Sequence, residues 1–138
     1  MGQPTNWSPQ TEAAAREALA LFKENRAIHR DGVVYHLTGQ PGAGAVASVE
    51  SYDAKTGTGT IIVWGTSSVT PSAASTARIL PAGLTASALY DVSVNTNLPG
   101  ARAPEALPTE TGANLMSGGI TLGLAPVDGA WLVTLAKR

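Results

Sequence analysis

The 138-residue chain predicts an all-β fold, an antiparallel β-sandwich of Greek-key type preceded by one N-terminal helix. Three observations predict it. Residues 9–26 carry apolar side chains at helical spacing, most of the remaining chain alternates apolar and polar residues with period two, and segments rich in Gly, Pro, Ser and Asn separate the alternating runs. Runs of this length and spacing are typical of a sandwich of about seven to eight strands. A chain of this length forms one core, so we divide it into an entrance helix, 1–30, and a sandwich domain, 31–138.

The entrance helix should begin at Ser8-Pro9, because a hydroxyl at the N-cap and proline at the first helical position are both favoured there. It should end at about Arg26. One face carries its apolar residues, Ala14, Ala18, Leu21 and Phe22. With only two large side chains on that face, the helix needs a partner surface, either outside this chain or at the end of the sandwich. We therefore interpret it as the remnant of a preceding domain, and we predict domain-interface positions at Trp7, Leu21 and Phe22.

Period two begins after Gly32, where Val33, Tyr35 and Leu37 alternate with Val34 and His36. Further strands are predicted at 45–52, 58–66, 76–80, 88–96, 120–124 and 130–137. A short hairpin turn should occupy 53–57, and the proline-containing segment 97–110 should be an extended surface loop. The run 130–135 is apolar on both faces, which favours a central strand.

The composition argues against several classes of partner. Nine basic and ten acidic residues are scattered along the chain, with a net charge of -1, so no basic stripe is available for nucleic acid or for a membrane surface. The chain has no cysteine, which excludes disulfides and thiolate chemistry but leaves the compartment open. Neither a signal peptide nor a run of eighteen apolar residues is present, so we expect a soluble chain, cytoplasmic or secreted.

The motifs of catalysis and metal binding are missing from the sequence. His29 and His36 have no third ligand at metal-site spacing, and the serines lack a strand-turn-helix nucleophile elbow. Glu50 and Asp53 bracket a strand end on opposite faces, and we interpret both as solvated residues. We therefore expect no catalytic residue, no metal and no cofactor.

Aromatic side chains are the remaining functional candidates, because sugar rings pack on tryptophan and tyrosine faces. Trp64 and Trp131, assisted by Tyr52, are the predicted carbohydrate-binding residues. Both tryptophans lie in alternating strand patterns that fit core or interface packing as well, and packing is the more frequent role of such residues.

The chain resembles the C-terminal β-sandwich of bacterial alpha-galactosidase-like (melibiase-type, glycoside hydrolase family 36-like) enzymes. The resemblance covers nearly the whole chain from Trp7 onward. It rests on the order and spacing of short segments: Gly32 to Leu37, Tyr52-Asp53, Ile61 to Trp64, Gly83-Leu84 with Tyr90, Gly112 to Ile120 and Ala130 to Leu135. The segments 66–76 and 97–110 depart from the family's pattern, so no substrate is carried over.

The resemblance implies that the nucleophile and the acid/base of the family lie in a catalytic barrel upstream of this chain. By itself the chain would then be no enzyme. We expect a non-catalytic accessory domain, which supports the barrel structurally and contributes to homo-oligomer contacts. The alternative is a carbohydrate-binding module, which holds a glycan on its surface aromatics and tethers its enzyme to a polymer. A small self-sufficient enzyme is the least favoured of the three readings.

Overall fold

The computed structural model describes residues 7–38, 46–65, 76–96, 104–123 and 130–138. The described residues form two helices and eight strands. They are α1 (Pro9–Asp31), β1 (Val33–His36), β2 (Val46–Asp53), β3 (Thr58–Gly65), β4 (Thr76–Ile79), β5 (Leu89–Thr96), β6 (Glu105–Thr111), α2 (Gly112–Gly118), β7 (Ile120–Gly123) and β8 (Ala130–Lys137). The predicted strand ends at 45, 66 and 124 lie outside the described residues, as do positions 97–103 of the predicted loop.

The strands form two antiparallel sheets, so the predicted fold class is confirmed. The larger sheet has the order β1-β2-β3-β8-β5-β6, and the smaller one pairs β4 with β7. As the apolar pattern predicts, the last strand β8 is central: it lies between β3 and β5. The turn of the hairpin between β2 and β3 lies at 54–57, where Gly57 adopts a φ of 70° that other residues rarely adopt.

The core lies between the two sheets, against what we call the inner face of the six-stranded sheet. Cross-strand partners in an antiparallel sheet share a face, and the central row of this face contains Ile61, its partner Val133 and the next partner, Val94. Ile61 and Val133 are fully buried. The two-stranded sheet contributes buried side chains at alternate positions, Ala77, Ile79, Ile120 and Leu122.

Helix α1 packs on the opposite, outer face, against β2 and β3. Its N-terminus is as predicted: Ser8 is the N-cap, its hydroxyl accepts a hydrogen bond from the Thr11 N–H at 3.2 Å, and Pro9 follows. The helix runs to Asp31, five positions beyond its predicted end at about Arg26, and closes where the Gly32 N–H donates to the Ile28 carbonyl at 2.8 Å. The sequence contains no glycine or proline between these points, so nothing ends the helix earlier.

The predicted surface loop 97–110 is wrong over its second half, because Glu105–Thr111 forms edge strand β6. Pro108 is accommodated by an irregularity: β6 has two residues between the pairs made with Tyr90 and Val92, whereas β5 has one. Proline is compatible with an edge strand or a bulge, since no ladder hydrogen bond is lost there. The short helix α2 was also not predicted, although Thr111 caps it by accepting from the Asn114 N–H at 3.2 Å.

Candidate functional site

Helix α1 carries two distinct apolar stripes. The first faces the sheet and contains the half-buried Leu21 and Ile28 with the buried Asn25, whose amide donates to the Leu21 carbonyl at 2.8 Å. The second is formed by Ala15, Ala18, Leu19 and Phe22, which follow i, i+3, i+4, i+7 spacing and therefore share another side of the helix. Its two large members, Leu19 and Phe22, are 58% and 56% exposed. We call these four residues the helix stripe.

The helix stripe continues towards edge strand β1. The Phe22 ring stacks on the His29 ring, with 6.2 Å between centroids and an interplanar angle of 13°. His29 Nδ1 lies 3.4 Å from the Ser51 hydroxyl on the outer face of β2, and the cross-strand partner of Ser51 is the exposed Val34. This series of contacts places the helix stripe beside the outer side of β1.

The predicted interface residues divide between the two stripes. Leu21 is half-buried beneath the helix, whereas Phe22 is in the helix stripe and Trp7, just before the helix, is 54% exposed. Their role in a domain interface stays a prediction.

A second apolar surface lies on the outer face of the six-stranded sheet. Helix α1 covers one end of this face, where Thr60 on β3 is 1% exposed, and leaves Ile62 and Trp64 on the same strand 43% and 37% exposed. The cross-strand partners of Trp64 are Ala47 and Ala130. Small apolar side chains therefore flank Trp64 on both neighbouring strands.

The other two predicted carbohydrate-binding residues are in the core. Trp131 is 5% exposed and Tyr52 2% exposed, so their rings contact other side chains and are closed to a ligand. The Tyr52 and Tyr90 hydroxyls lie 2.7 Å apart, and the Tyr90 hydroxyl accepts from the Thr85 N–H at 2.9 Å. Alternation alone could not reveal this, because it does not say which face of a strand is covered. Carbohydrate binding at Trp64 stays a prediction.

The interpretation of Glu50 and Asp53 as solvated residues is wrong. Asp53 is 9% exposed and organises the hairpin turn, where its carboxylate accepts from the Lys55 N–H at 2.9 Å and the Thr56 hydroxyl at 3.1 Å. Glu50 is fully buried on the inner face, beside Ile61. Its Oε2 accepts from the Ala82 N–H at 2.6 Å, while Oε1 has no hydrogen-bond partner among the described residues. Burial raises the pKa of Glu50 to about 7, although the Ala82 hydrogen bond opposes this shift.

Comparisons with known proteins find similarity in three-dimensional structure. No family model matches the chain, and no curated protein matches its sequence. Among solved structures, the alpha-galactosidases AgaA and AgaB of Geobacillus stearothermophilus match it with TM-scores of 0.78 and 0.77, each at 18% identity, over 98% of this chain and 17% of theirs. The alpha-galactosidase of Lactobacillus brevis matches with a TM-score of 0.77 at 16% identity, over 99% of this chain and 18% of its own.

The chain has the fold of one part of these enzymes. The resemblance predicted from the sequence is thereby confirmed for the fold, and this chain spans less than a fifth of the length of the enzymes it matches.

The chemistry that the described residues can perform follows from their charged groups. Glycoside hydrolysis requires two carboxyl groups on either side of the scissile bond. Glu50 and Asp53 lie on opposite faces of β2 and cannot act as such a pair. Among the described residues no three His, Asp or Glu side chains are grouped as metal ligands, and no helix has the length and apolar character to cross a membrane.

Glu50 makes the stability of the domain depend on pH. Folding raises its pKa from 4.5 to about 7, so the folded state keeps a proton that the unfolded chain loses. The contribution of Glu50 to the free energy of unfolding should therefore be largest below pH 4.5, fall as the pH rises to about 7, and level off above it. Glu50→Gln cannot ionise and should remove this decrease, which amounts to roughly 3 kcal/mol at pH 8.

Urea unfolding of both proteins at several pH values measures the effect. The exposed Glu105 provides the matched control, since Glu105→Gln should keep the wild-type pH dependence. An equal decrease in the wild type and in Glu50→Gln would contradict the assignment.

Proposed function

We propose that the chain is a non-catalytic accessory domain of a glycoside hydrolase, a C-terminal β-sandwich that packs on a catalytic barrel and stabilises it. The fold likeness supports this proposal, because nearly all of this chain matches about a sixth of each of several alpha-galactosidases. The observation that carries it is the helix stripe: a long helix uses one side to pack on its own sheet and leaves a second apolar side exposed.

The exposed stripe favours a docked partner for a physical reason. The N-terminal half of α1, residues 9–20, is exposed at every position except the half-buried Ala15. Helices owe most of their stability to the packing of an apolar face, so this half has little support from the rest of the chain. Two large exposed side chains side by side, Leu19 and Phe22, are typical of an interaction surface.

The preceding catalytic barrel is the partner that we propose for this stripe. The enzymes with the same fold are several times longer than this chain, so a protein of that kind contains a surface to cover the helix. The entrance helix 1–30 would then pack on two domains, with Leu21 and Ile28 against the sandwich and with Leu19 and Phe22 against the barrel. A helix held on both sides fixes the angle between the domains.

A double substitution tests the role of the stripe. Leu19→Ser with Phe22→Ser should change the free energy of unfolding of the isolated chain by less than about 1 kcal/mol, because both side chains are exposed there. In the longer parent enzyme the same change should destabilise the assembly by roughly 2 kcal/mol or more, because it removes buried apolar contacts. Thermal unfolding of the two proteins compares these effects.

Ala20→Ser with Glu24→Ser is the matched control, since both residues are exposed and lie on the far side of the helix from the stripe. It should leave both proteins nearly unchanged. Equal effects of the stripe variant on the chain and on the parent enzyme would refute barrel docking. A second outcome would also refute barrel docking: the isolated chain forms a concentration-dependent dimer, and the stripe variant abolishes it. The partner of the helix stripe would then be a second copy of this chain.

Carbohydrate binding is the second candidate function, and the exposure of Trp64 is the observation in its favour. A sugar-binding platform needs polar side chains next to the ring to bond the sugar hydroxyls. Ala47 and Ala130 offer none at the cross-strand positions, and Ile62 on the same face adds apolar surface. This setting supports packing against protein more than binding of a glycan.

Tryptophan fluorescence separates the two functions. Titration of the chain with galactosides, glucans, xylans and mannans should give a flat response if the accessory role is its only one. A saturable change that Trp64→Ala removes, and that Trp7→Ala retains, would instead establish a carbohydrate-binding module. Trp7 is a suitable control because it is exposed at the start of the helix rather than on the sheet.

A further inference from the structure

The segment 80–88 connects the two layers of the sandwich, since it leads from β4 in the small sheet to β5 in the large one. We call it the crossing connection. Three contacts hold it on the large sheet, and each joins a residue of the connection to an inner-face side chain: Ala82 to Glu50, Gly83 to Tyr35 and Thr85 to Tyr90. Gly83 has a φ of 70°, and a Cβ at this position would overlap the Tyr35 hydroxyl, so the approach is close.

One of these three contacts, from the Ala82 N–H to Glu50, has an ionisable side chain as its acceptor. The Glu50 side chain is fully buried, and only its Oε2 is satisfied, by the Ala82 N–H at 2.6 Å. Oε1 is buried without a partner among the described residues, and the Ser48 hydroxyl, two positions away on the same face, is in the same condition. A charged carboxylate with an unsatisfied oxygen in such a place is costly unless water reaches it.

Among the described residues, no positively charged side chain lies beside Glu50. The cross-strand neighbours on the inner face are Tyr35 from β1 and Ile61 from β3. Tyr52 follows on β2 and bonds Tyr90 of β5, and a tyrosine side chain has no positively charged form that could balance the carboxylate. From the small sheet, β4 contributes Ala77 and Ile79, and β7 contributes Ile120 and Leu122.

Besides Glu50, three charged residues of the described strands alternate onto the inner face, and none is next to Glu50. Glu110 on β6 is the half-buried cross-strand partner of Tyr90, and its carboxylate accepts from the Asn114 side-chain amide at 2.9 Å. Glu105 belongs to β6, which is four strands away in the sheet order, and is exposed. Lys137 is exposed at the end of β8, where it contacts Gly57. Without a positive charge beside it, ionised Glu50 has to be solvated by water, and among the described residues the crossing connection is the segment whose backbone bonds its side chain.

We propose that Glu50 is a proton-controlled latch for the crossing connection: protonated Glu50 keeps residues 80–88 closed on the inner face, and ionised Glu50 opens them to admit water. On opening, the proton of the Glu50 carboxyl passes to solvent, and the Ala82 N–H exchanges the carboxyl oxygen for water as its acceptor. The latch is a device of the sandwich itself and does not depend on the docking of α1.

The pH range of the latch follows from the burial of Glu50, whose pKa is raised to about 7 when the connection is closed. Once water enters, the pKa of the Glu50 carboxyl returns towards its ordinary value of 4.5. Opening therefore becomes more favourable as the pH rises between these two values and levels off above them. Between pH 5 and pH 8 the equilibrium constant for opening should increase by roughly fiftyfold.

Hydrogen exchange of single amides, followed by NMR, measures the latch directly. The reporters are the amides of Ala82 and Thr85, which the connection donates to Glu50 and Tyr90. After correction for the intrinsic pH dependence of exchange, their protection should fall by roughly fiftyfold between pH 5 and pH 8. The amide of Gly32, bonded to the Ile28 carbonyl at 2.8 Å at the end of α1, should keep constant protection because α1 packs on the outer face, away from the connection.

Glu50→Gln supplies the decisive comparison, because it preserves the shape and the acceptor oxygen but cannot ionise. In this variant the protection of Ala82 and Thr85 should not depend on pH. The proposal is overturned if the variant keeps the wild-type decrease, or if the corrected protection in the wild type changes no more at Ala82 and Thr85 than at Gly32.

A carboxyl titration keeps the proposal testable if Glu50→Gln does not fold. The ¹³C resonance of the Glu50 carboxyl in the wild type should titrate with a midpoint well above the ordinary range of glutamate. A midpoint near that of the exposed Glu105 would overturn the proposal.

Discussion

The structure depends on a mismatch in size between its two sheets. The inner face of a six-stranded sheet is apolar along its central rows, and a two-stranded sheet is too small to cover it alone. Segments between the strands therefore supply the rest of the cover: α2 contributes the buried Leu115, and the crossing connection contributes the buried Leu84. The hydrophobic free energy of this face is realised only when these segments are in place.

This need for cover accounts for the polar contacts inside the core. A connecting segment has backbone N–H groups that lack ladder partners, and burial requires that each finds an acceptor. The Tyr90 hydroxyl and the Glu50 carboxylate accept from two such groups, those of Thr85 and Ala82. Tyr90 accepts the Thr85 N–H through a hydroxyl group. Glu50 accepts the Ala82 N–H through a carboxyl group, so its proton equilibrium affects the contact between the two layers. The chemistry of the acceptor thus decides which contact responds to pH.

On the outer face, by contrast, the described residues leave part of the apolar surface exposed. Helix α1 lies over the Thr60 end of this face and leaves Ile62 and Trp64 exposed, while its own second side exposes Leu19 and Phe22. A domain that must be stable by itself would place such side chains inside. In the proposed accessory domain they are the surface on which the parent enzyme closes, so the unused apolar area and the fold likeness have one explanation.

The sequence predicts the elements whose pattern is local. Ser8-Pro9 marks the start of the helix, alternation marks seven strands, and the apolar run 130–135 marks a central strand. Strand β6 was missed because Pro108 is read as a loop residue, and only the pairing with β5 shows the bulge that accommodates it. Alternation places Glu50 and Tyr52 on one face of β2 but does not reveal that the smaller sheet and the crossing connection cover that face.

The same limit applies to the candidate surfaces. Helical spacing groups Leu21 with Phe22 on one broad apolar side, yet the sheet takes Leu21 and leaves Phe22 outside. The division depends on where the helix lies on β2 and β3, which is a property of the tertiary structure. Burial of Trp131 and exposure of Trp64 have the same origin, because the two residues occupy opposite faces of adjacent strands.

Hydroxyl-radical footprinting of the isolated chain and of the proposed longer enzyme tests the central claim most directly. Leu19 and Phe22 should be labelled readily in the isolated chain and should be strongly protected in the parent enzyme. Leu80, 46% exposed and next to the small sheet on the other side of the sandwich from α1, should be labelled equally in both. Equal labelling of Leu19 and Phe22 in the two proteins would contradict the account.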